Sequence, residues 1–226
     1  MTADTPLQKY QAAIPQKVYE LLSRRGFTSL RPCQVKAIDA GLFLDKNLLV
    51  CTPTASGKTL VGELAALNGI LHDRGKAVYI VPLRALASEK YRTFRKDYPE
   101  LKIGVSTGDL DETDTNLSHN DVIIVTSEKF DSLLRHKVDW LKKVKTVVVD
   151  EIHLLGDPGR GPTLEIVLTI LRTTLRVQLI GLSATIGNRR ELAAWLNAEL
   201  VEDSWRPIRL EKGVYLDGKI EFYTQD

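Results

Sequence analysis

Thr52-Pro53-Thr54-Ala55-Ser56-Gly57-Lys58-Thr59 stands between a short apolar run, residues 47–51, and a segment of helical patterning, residues 58–71. A loop that leaves a strand and enters a helix presents backbone N–H groups and the positive end of the helix dipole, which suits an anion. Gly57 lets the backbone approach phosphate oxygens with no side chain in the way. Lys58 has the reach for β- and γ-phosphates, and the Thr59 hydroxyl suits Mg²⁺. The usual pattern of such loops begins with glycine, where this chain has Thr52. The competing reading is a capped helix start that happens to carry Gly-Lys-Thr; the strand–loop–helix context favours the phosphate loop.

Outward from this loop, apolar runs and helical patterns alternate. Strands are expected over residues 77–81, 102–106, 122–126, 146–150 and 178–182. Helices are expected over 85–98, stopped by Pro99, and over 164–175, where Leu164, Val167, Leu168, Leu171 and Leu175 share a face. The strand runs are continuously apolar, as in strands buried on both faces. Strands alternating with helices imply right-handed βαβ units and a mostly parallel sheet. Pro32 and Pro162 suit first helical turns, and Gly41 closes the segment that Pro32 opens. Asn188 and Glu191 have capping-box spacing. Asp217-Gly218 between residues 214–216 and 220–223 reads as a β-hairpin turn. Residues 106–121, with Asp109, Asp111, Glu112, Asp114 and Asp121, read as a solvated acidic loop. The expected organisation is one α/β domain over 1–226, with a helical lead-in at 1–45 and the hairpin within 200–226.

A second chemical signature follows the β-branched run Val147-Val148-Val149, in Asp150-Glu151-Ile152-His153. A carboxylate at the end of a buried strand is costly unless it is paired or liganded. Asp150 is placed to hold Mg²⁺ through water, opposite Thr59, and Glu151 to polarise an attacking water or accept its proton. Two adjacent acids also commonly close a strand into a loop; the phosphate loop in the same chain tips the balance. In a doubly wound sheet both loops emerge at the carboxyl ends of strands, where ligands bind.

Composition sets the bounds. The 226 residues are 43% hydrophobic and 27% charged, an ordinary globular mix, and 31 Lys+Arg nearly balance 29 Asp+Glu. No strongly basic nucleic-acid module shows in the totals. Two cysteines, Cys33 and Cys51, are too few for a disulfide scaffold. Nothing approaches the about 18 apolar residues of a membrane span, and the first ten residues lack the features of a signal peptide. A reducing, cytoplasmic setting away from membranes is expected. Cys51 reads as a core residue, Cys33 has no partner at metal-ligand spacing, and His72, His119 and His136 form no ligand cluster. Lys142, Lys143 and Lys145 beside Trp140 read as a solvated face.

The two signatures belong to an ordered series: the phosphate loop, Val81-Pro82-Leu83-Arg84-Ala85-Leu86, Thr107-Gly108-Asp109, Thr126-Ser127-Glu128-Lys129, Asp150–His153, and Ser183-Ala184-Thr185. The series resembles motifs I, Ia, the following glycine loop, Ib, II and III of superfamily-two DExH helicases. Residues 150–165, DEIHLLGDPGRGPTLE, resemble the superkiller-like branch, and within it the archaeal repair helicases related to the helicase part of DNA polymerase theta. Trp205-Arg206-Pro207 through Gly213-Val214-Tyr215 fits that subgroup. The resemblance covers roughly residues 10–226 and implies a RecA-like lobe, with helices on both faces of its sheet.

The resemblance also implies site residues and partners. ATP would be held by Thr54, Ala55, Ser56, Gly57, Lys58 and Thr59, with Mg²⁺ on Thr59 and Asp150. Gln34, seven residues after Phe27, resembles an adenine-reading glutamine, whose amide donates and accepts at once; a helix-surface glutamine is the alternative. His153, Ser183 and Thr185 resemble residues that couple nucleotide and strand sites, and join Lys58, Asp150 and Glu151 as the catalytic set. Pro82, Arg84, Thr107, Gly108, Thr126 and Lys129 resemble positions along a single-strand path; Arg84 fits an internal salt bridge equally well, and Thr107 and Thr126 also fit plain strand ends. Arg160 matches the subgroup without a derivable role. The implied activity is 3′–5′ movement on single-stranded or forked DNA in replication-fork repair and recombination, by a monomer. The alternatives are an RNA-directed superkiller-type helicase and a nucleotide-gated nucleic-acid-binding scaffold. Nothing after Thr185 resembles motifs IV, V or VI. A second RecA-like lobe and further C-terminal domains are therefore expected elsewhere in a longer protein. This chain alone is expected to bind nucleotide weakly and not to unwind.

Overall fold

A computed structural model describes residues 4–72, 75–108, 117–208 and 211–223. Of the acidic stretch 106–121, residues 109–116 lie outside them. The lead-in contains β1 (Thr5–Pro6) paired antiparallel with β2 (Ser29–Leu30), α1 (Gln16–Arg24) and α2 (Pro32–Asp39). Its described residues are mainly helical, with one small ladder. Pro32 occupies the first turn of α2, and Gly41 takes φ +103° beyond its end.

Then β3 (Leu48–Cys51) leads into α3 (Lys58–Leu71), and β4 (Lys76–Val81) into α4 (Arg84–Asp97). The strands β5 (Ile103–Ser106) and β6 (Val122–Thr126) precede α5 (Ser127–Arg135). After β7 (Val144–Val149) come α6 (Gly161–Thr174), β8 (Gln178–Ser183), α7 (Arg189–Leu196) and β9 (Glu199–Glu202). Seven strands form one sheet in the order β5-β6-β4-β7-β8-β3-β9, and every described pairing in it is parallel.

Alternate residues of each central strand enter opposite cores. Leu48 and Val50 of β3 and Tyr79 and Val81 of β4 pack with α1–α4. Leu49, Cys51, Val78 and Ile80 pack with α5–α7. With both faces covered, the strands read as unbroken apolar runs. This is the RecA-like α/β arrangement. One close approach sets the site: a Cβ on Gly62 would lie 2.7 Å from Val148 Cγ1 and 3.2 Å from Leu182 Cδ1. Glycine therefore lets α3 press onto β7 and β8.

Besides α5 and the small ladder, neither of them foreseen, two elements differ from expectation. β9 adds an edge strand where none was foreseen, pairing with β3. At α7, Asn188 precedes the helix but its side chain caps nothing. Its backbone, at φ −89° and ψ 25°, is not in the extended conformation that aims an N-cap side chain at the helix N–H groups. The Asn188 carbonyl accepts from Leu192 N instead, and Arg189 holds the entry by donating to Ile186 O and pairing with Glu202.

The hairpin forms as expected from β10 (Lys212–Leu216) and β11 (Lys219–Tyr223). Leu216 pairs with Lys219 across Asp217 and Gly218, both at positive φ, as a two-residue type I′ turn requires. Its side chains are exposed, including Tyr215, Ile220 and Phe222.

Candidate functional site

The phosphate loop is braced before any ligand arrives. Thr52 and Ser56 are fully buried and bond to each other through their hydroxyls at 2.8 Å. Thr52 is absent from the positive-φ residues, so its backbone has no need of glycine. Thr52 N donates to Ser183 O at the end of β8. Gly57 takes φ +97°, and a Cβ there would lie 2.6 Å from Gln34 Nε2 and 2.9 Å from Arg31 Cδ. Ala55 is also left-handed, at φ 65°, a conformation that costs a non-glycine residue about 1–3 kcal/mol and persists only where its surroundings enforce it.

Three consecutive loop carbonyls are clasped by the first turn of α2. Arg31 Nη1 donates to Ala55 O at 2.7 Å, Cys33 Sγ to Ser56 O at 3.2 Å, and Gln34 Nε2 to Gly57 O at 3.1 Å. Burial pushes the Cys33 thiol up, which keeps it protonated and able to donate. Gln34 Oε1 accepts from Arg31 N at 2.9 Å. Gln34 is buried at 4% exposure, so it is no helix-surface glutamine. Each end of its amide makes one hydrogen bond inside the chain, and an amide has one further N–H and one further lone pair to offer a base edge. Peptide groups are rigid, so pinning these carbonyls fixes the direction of the adjoining N–H groups.

Opposite the loop, Glu151 adopts φ 51°, the second left-handed non-glycine residue of the site. Asp150 Oδ1 accepts from Glu151 N at 3.0 Å and holds that turn. Lys58 Nζ lies 3.8 Å from Glu151 Oε1, with the lysine side chain only 9% exposed. His153 Nδ1 lies 3.2 Å from Glu151 Oε2. Asp150 Oδ2 lies 3.5 Å from the Tyr79 hydroxyl and 3.9 Å from Lys90 Nζ. Ser183 is fully buried and Thr185 exposed; no hydrogen bond joins either to His153 among the described residues. The coupling set is thus divided: His153 Nδ1 lies near Glu151 Oε2 without a hydrogen bond among the described residues, and Ser183 holds the loop through its carbonyl.

A cavity of about 480 Å³ opens at the same carboxyl edge. Its lining includes Pro82, Arg84, Thr107, Gly108, Thr126 and Lys129, all six residues expected along a strand path, together with Arg160. Thr126 also accepts from Lys129 N and caps α5. Arg84 is exposed and makes no ion pair among the described residues. Arg160, left without a role by sequence, also lines a neighbouring cavity with Pro82, Asp150 and Glu151. Its position is fixed by Asp157 Oδ1, which accepts from Gly159 N and Arg160 N at 2.9 Å each. These contacts lower the Asp157 pKa.

The donor set fits ATP and Mg²⁺ in kind. Gly57 leaves room that a Cβ would fill, and Lys58 is a buried cation at the mouth of a helix. Thr59 and Asp150 supply one hydroxyl and one carboxylate. No group of three or more His, Cys, Asp or Glu gathers as a metal cage among the described residues. Mg²⁺ characteristically binds through one or two carboxylates plus substrate phosphates and water.

A braced phosphate loop facing an Asp-Glu-x-His turn on a seven-stranded parallel sheet defines a helicase-type ATP-binding lobe. The DEAD/DEAH box helicase family model matches residues 31–192, and the chain belongs to that family. It is 51% identical over 207 residues to the ATP-dependent DNA helicase Hel308 of Pyrococcus horikoshii, matching 91% of this chain and 28% of that protein. The Hel308 of Methanocaldococcus jannaschii is 54% identical over 214 residues, matching 91% of this chain and 18% of that one. The crystal structure of the DUF1998 helicase MrfA bound to DNA superposes with a TM-score of 0.72 at 26% identity, covering 85% of this chain and 30% of that one. The chain thus spans less than a third of each relative's length.

Proposed function

We propose that this chain is the ATP-binding lobe of an ATP-dependent DNA helicase that moves 3′–5′ on single-stranded or forked DNA in fork repair and recombination. The observation that carries the reading is the groove. Six residues from three separate segments line one cavity, beside the strand that leads into Asp150. Backbone contacts through hydroxyls, N–H groups and single cations suit a strand that must be gripped and released. The likeness to Hel308 and to a DNA-bound helicase supports DNA over RNA.

In the proposed cycle Lys58 leaves Glu151 for the β- and γ-phosphates of ATP. Glu151, with His153 Nδ1 3.2 Å from its Oε2, is then free to orient water and take its proton. Thr59 and Asp150 would hold Mg²⁺, which supplies charge neutralisation at the phosphates when bound. Charge-stabilising arginines would come from a second RecA-like lobe, with further C-terminal domains beyond it. On this reading the chain alone binds nucleotide weakly and does not unwind. No described helix is long and apolar enough to cross a membrane; a cytoplasmic monomer is part of the same proposal.

The test is ATPase stimulation of the complete protein by matched DNA and RNA strands. DNA should stimulate and RNA should not; equal or greater stimulation by RNA rejects the DNA assignment. Arg84→Ala and Arg160→Ala should each weaken single-strand binding alike across sequences. Each should also flatten the dependence of log K on log salt by about 0.7, the loss of one phosphate contact. Unchanged affinity and slope would remove that arginine from the strand path.

A further inference from the structure

A nucleotide seated on the phosphate loop has a base to place, and residues 52–59 contain no aromatic ring to receive it. Phe27, upstream of Gln34, makes no recorded contact with the loop among the described residues. The Arg25 guanidinium carbon sits 5.2 Å from its ring centre, and the ring packs against the α1–α4 core. Trp205 is placed differently. The Arg31 guanidinium carbon lies 5.7 Å from the Trp205 ring centre, and the same guanidinium donates to Ala55 O at 2.7 Å. The indole therefore stands one side chain away from the phosphate loop, beside the residue that caps Gln34.

This placement is built. Trp205 N donates to Asp203 Oδ1 at 2.6 Å. The Asp203 carboxylate, 8% exposed, pairs with Lys36 Nζ at 2.7 Å, and Lys36 also donates to Glu202 O at 2.8 Å. The segment after β9 is thus fastened to α2, whose first turn clasps the loop. The other tryptophans are occupied: Trp140 is buried, and Trp195 lies under Arg172 at 4.7 Å. Trp205 is half-buried and keeps open surface.

We infer that Trp205 is a base-stacking residue of the nucleotide site, receiving the purine beside Arg31 while Gln34 meets its edge. The inference rests on the reading of residues 52–59 as the phosphate loop and adds the wall for the base. A rigid indole offers a π-face to a purine and nothing to a phosphate. Trp205 should therefore govern affinity for the nucleoside part alone, as Lys58 governs affinity for the phosphates.

The experiment titrates the protein calorimetrically with Mg²⁺-ADP and, separately, with Mg²⁺-tripolyphosphate, as native chain, Trp205→Ala and Trp205→Phe. Trp205→Ala should weaken ADP about five-fold or more and leave tripolyphosphate unchanged, with Trp205→Phe recovering most of the ADP affinity. Unchanged ADP affinity in Trp205→Ala overturns the inference. An equal loss for ADP and tripolyphosphate also overturns it, because Trp205 would then be a prop for the loop acting through Arg31. If the native chain binds neither ligand, the phosphate-loop reading itself fails and the inference falls with it.

Discussion

Lys58→Ala should lower the ATP turnover of the complete protein by about 10²–10³-fold or more, the scale on which a preorganised charge-stabilising donor acts. Lys58 is held nearly buried at the first position of α3, with Glu151 3.8 Å away. Its ammonium is the cation best placed to meet the transferring phosphoryl group. Lys58→Arg should not restore turnover. The site is shaped for a compact point charge, and a planar guanidinium is wider and forked. The fold should survive, since the Lys58–Glu151 pair is partly open to solvent and contributes little to stability. Steady-state ATPase assays beside a circular-dichroism melt separate the two effects. Retained turnover in Lys58→Ala refutes the role given to Lys58.

The largest expected effect on stability lies on the α1–α3–α4 side. Arg25 pairs with Glu63 at 3.4 Å and with Asp97, donates to the Tyr98 hydroxyl, and has its guanidinium carbon 4.6 Å from the Tyr98 ring centre. Tyr98 donates to Glu63 at 2.7 Å, and burial beside Glu63 pushes the phenol far above its usual range, so it remains a donor. Glu63 is only 5% exposed. Removing one partner of a buried pair leaves an uncompensated charge, at a cost of about 3–5 kcal/mol. Arg25→Ala should therefore lower the melting temperature by about 6–20 °C in a chain of this size. Adding Glu63→Gln should return part of that loss by removing the stranded charge. A shift under about 2 °C in Arg25→Ala would show the cluster to be solvated and weak.

What the sequence discloses, and what it hides, follows from the kind of interaction involved. β3, β4, β7 and β8 are legible because burial on both faces demands continuous apolar runs. β9 is not, because four residues at a sheet edge, with Glu199 and Glu202 at its ends, carry no such demand. α5 starts without a loop, directly on Thr126, so no turn residue announces it. The phosphate loop and Asp150–His153 are legible because their chemistry needs particular residues at particular spacings. The clasp on Ala55, Ser56 and Gly57 leaves no pattern, since its acceptors are carbonyls that every residue has. Arg31 and Cys33 became visible as loop-holders only in three dimensions. The groove residues could be named only by resemblance, because they come from three separate segments that the fold gathers.

The neighbouring positions of β4 and β7 have a mechanical consequence. Ile80 O accepts from Asp150 N at 2.9 Å, two residues before Pro82 enters the groove. The nucleotide turn and the groove wall are thus adjacent planks of one sheet, about 4.8 Å apart. A sheet close-packed on both faces has little compliance. Force generated at Asp150–Glu151 would pass to the groove wall with almost no internal travel. The chain therefore works as a stiff anvil, and the stroke of any motor built on it belongs to its joints with other parts.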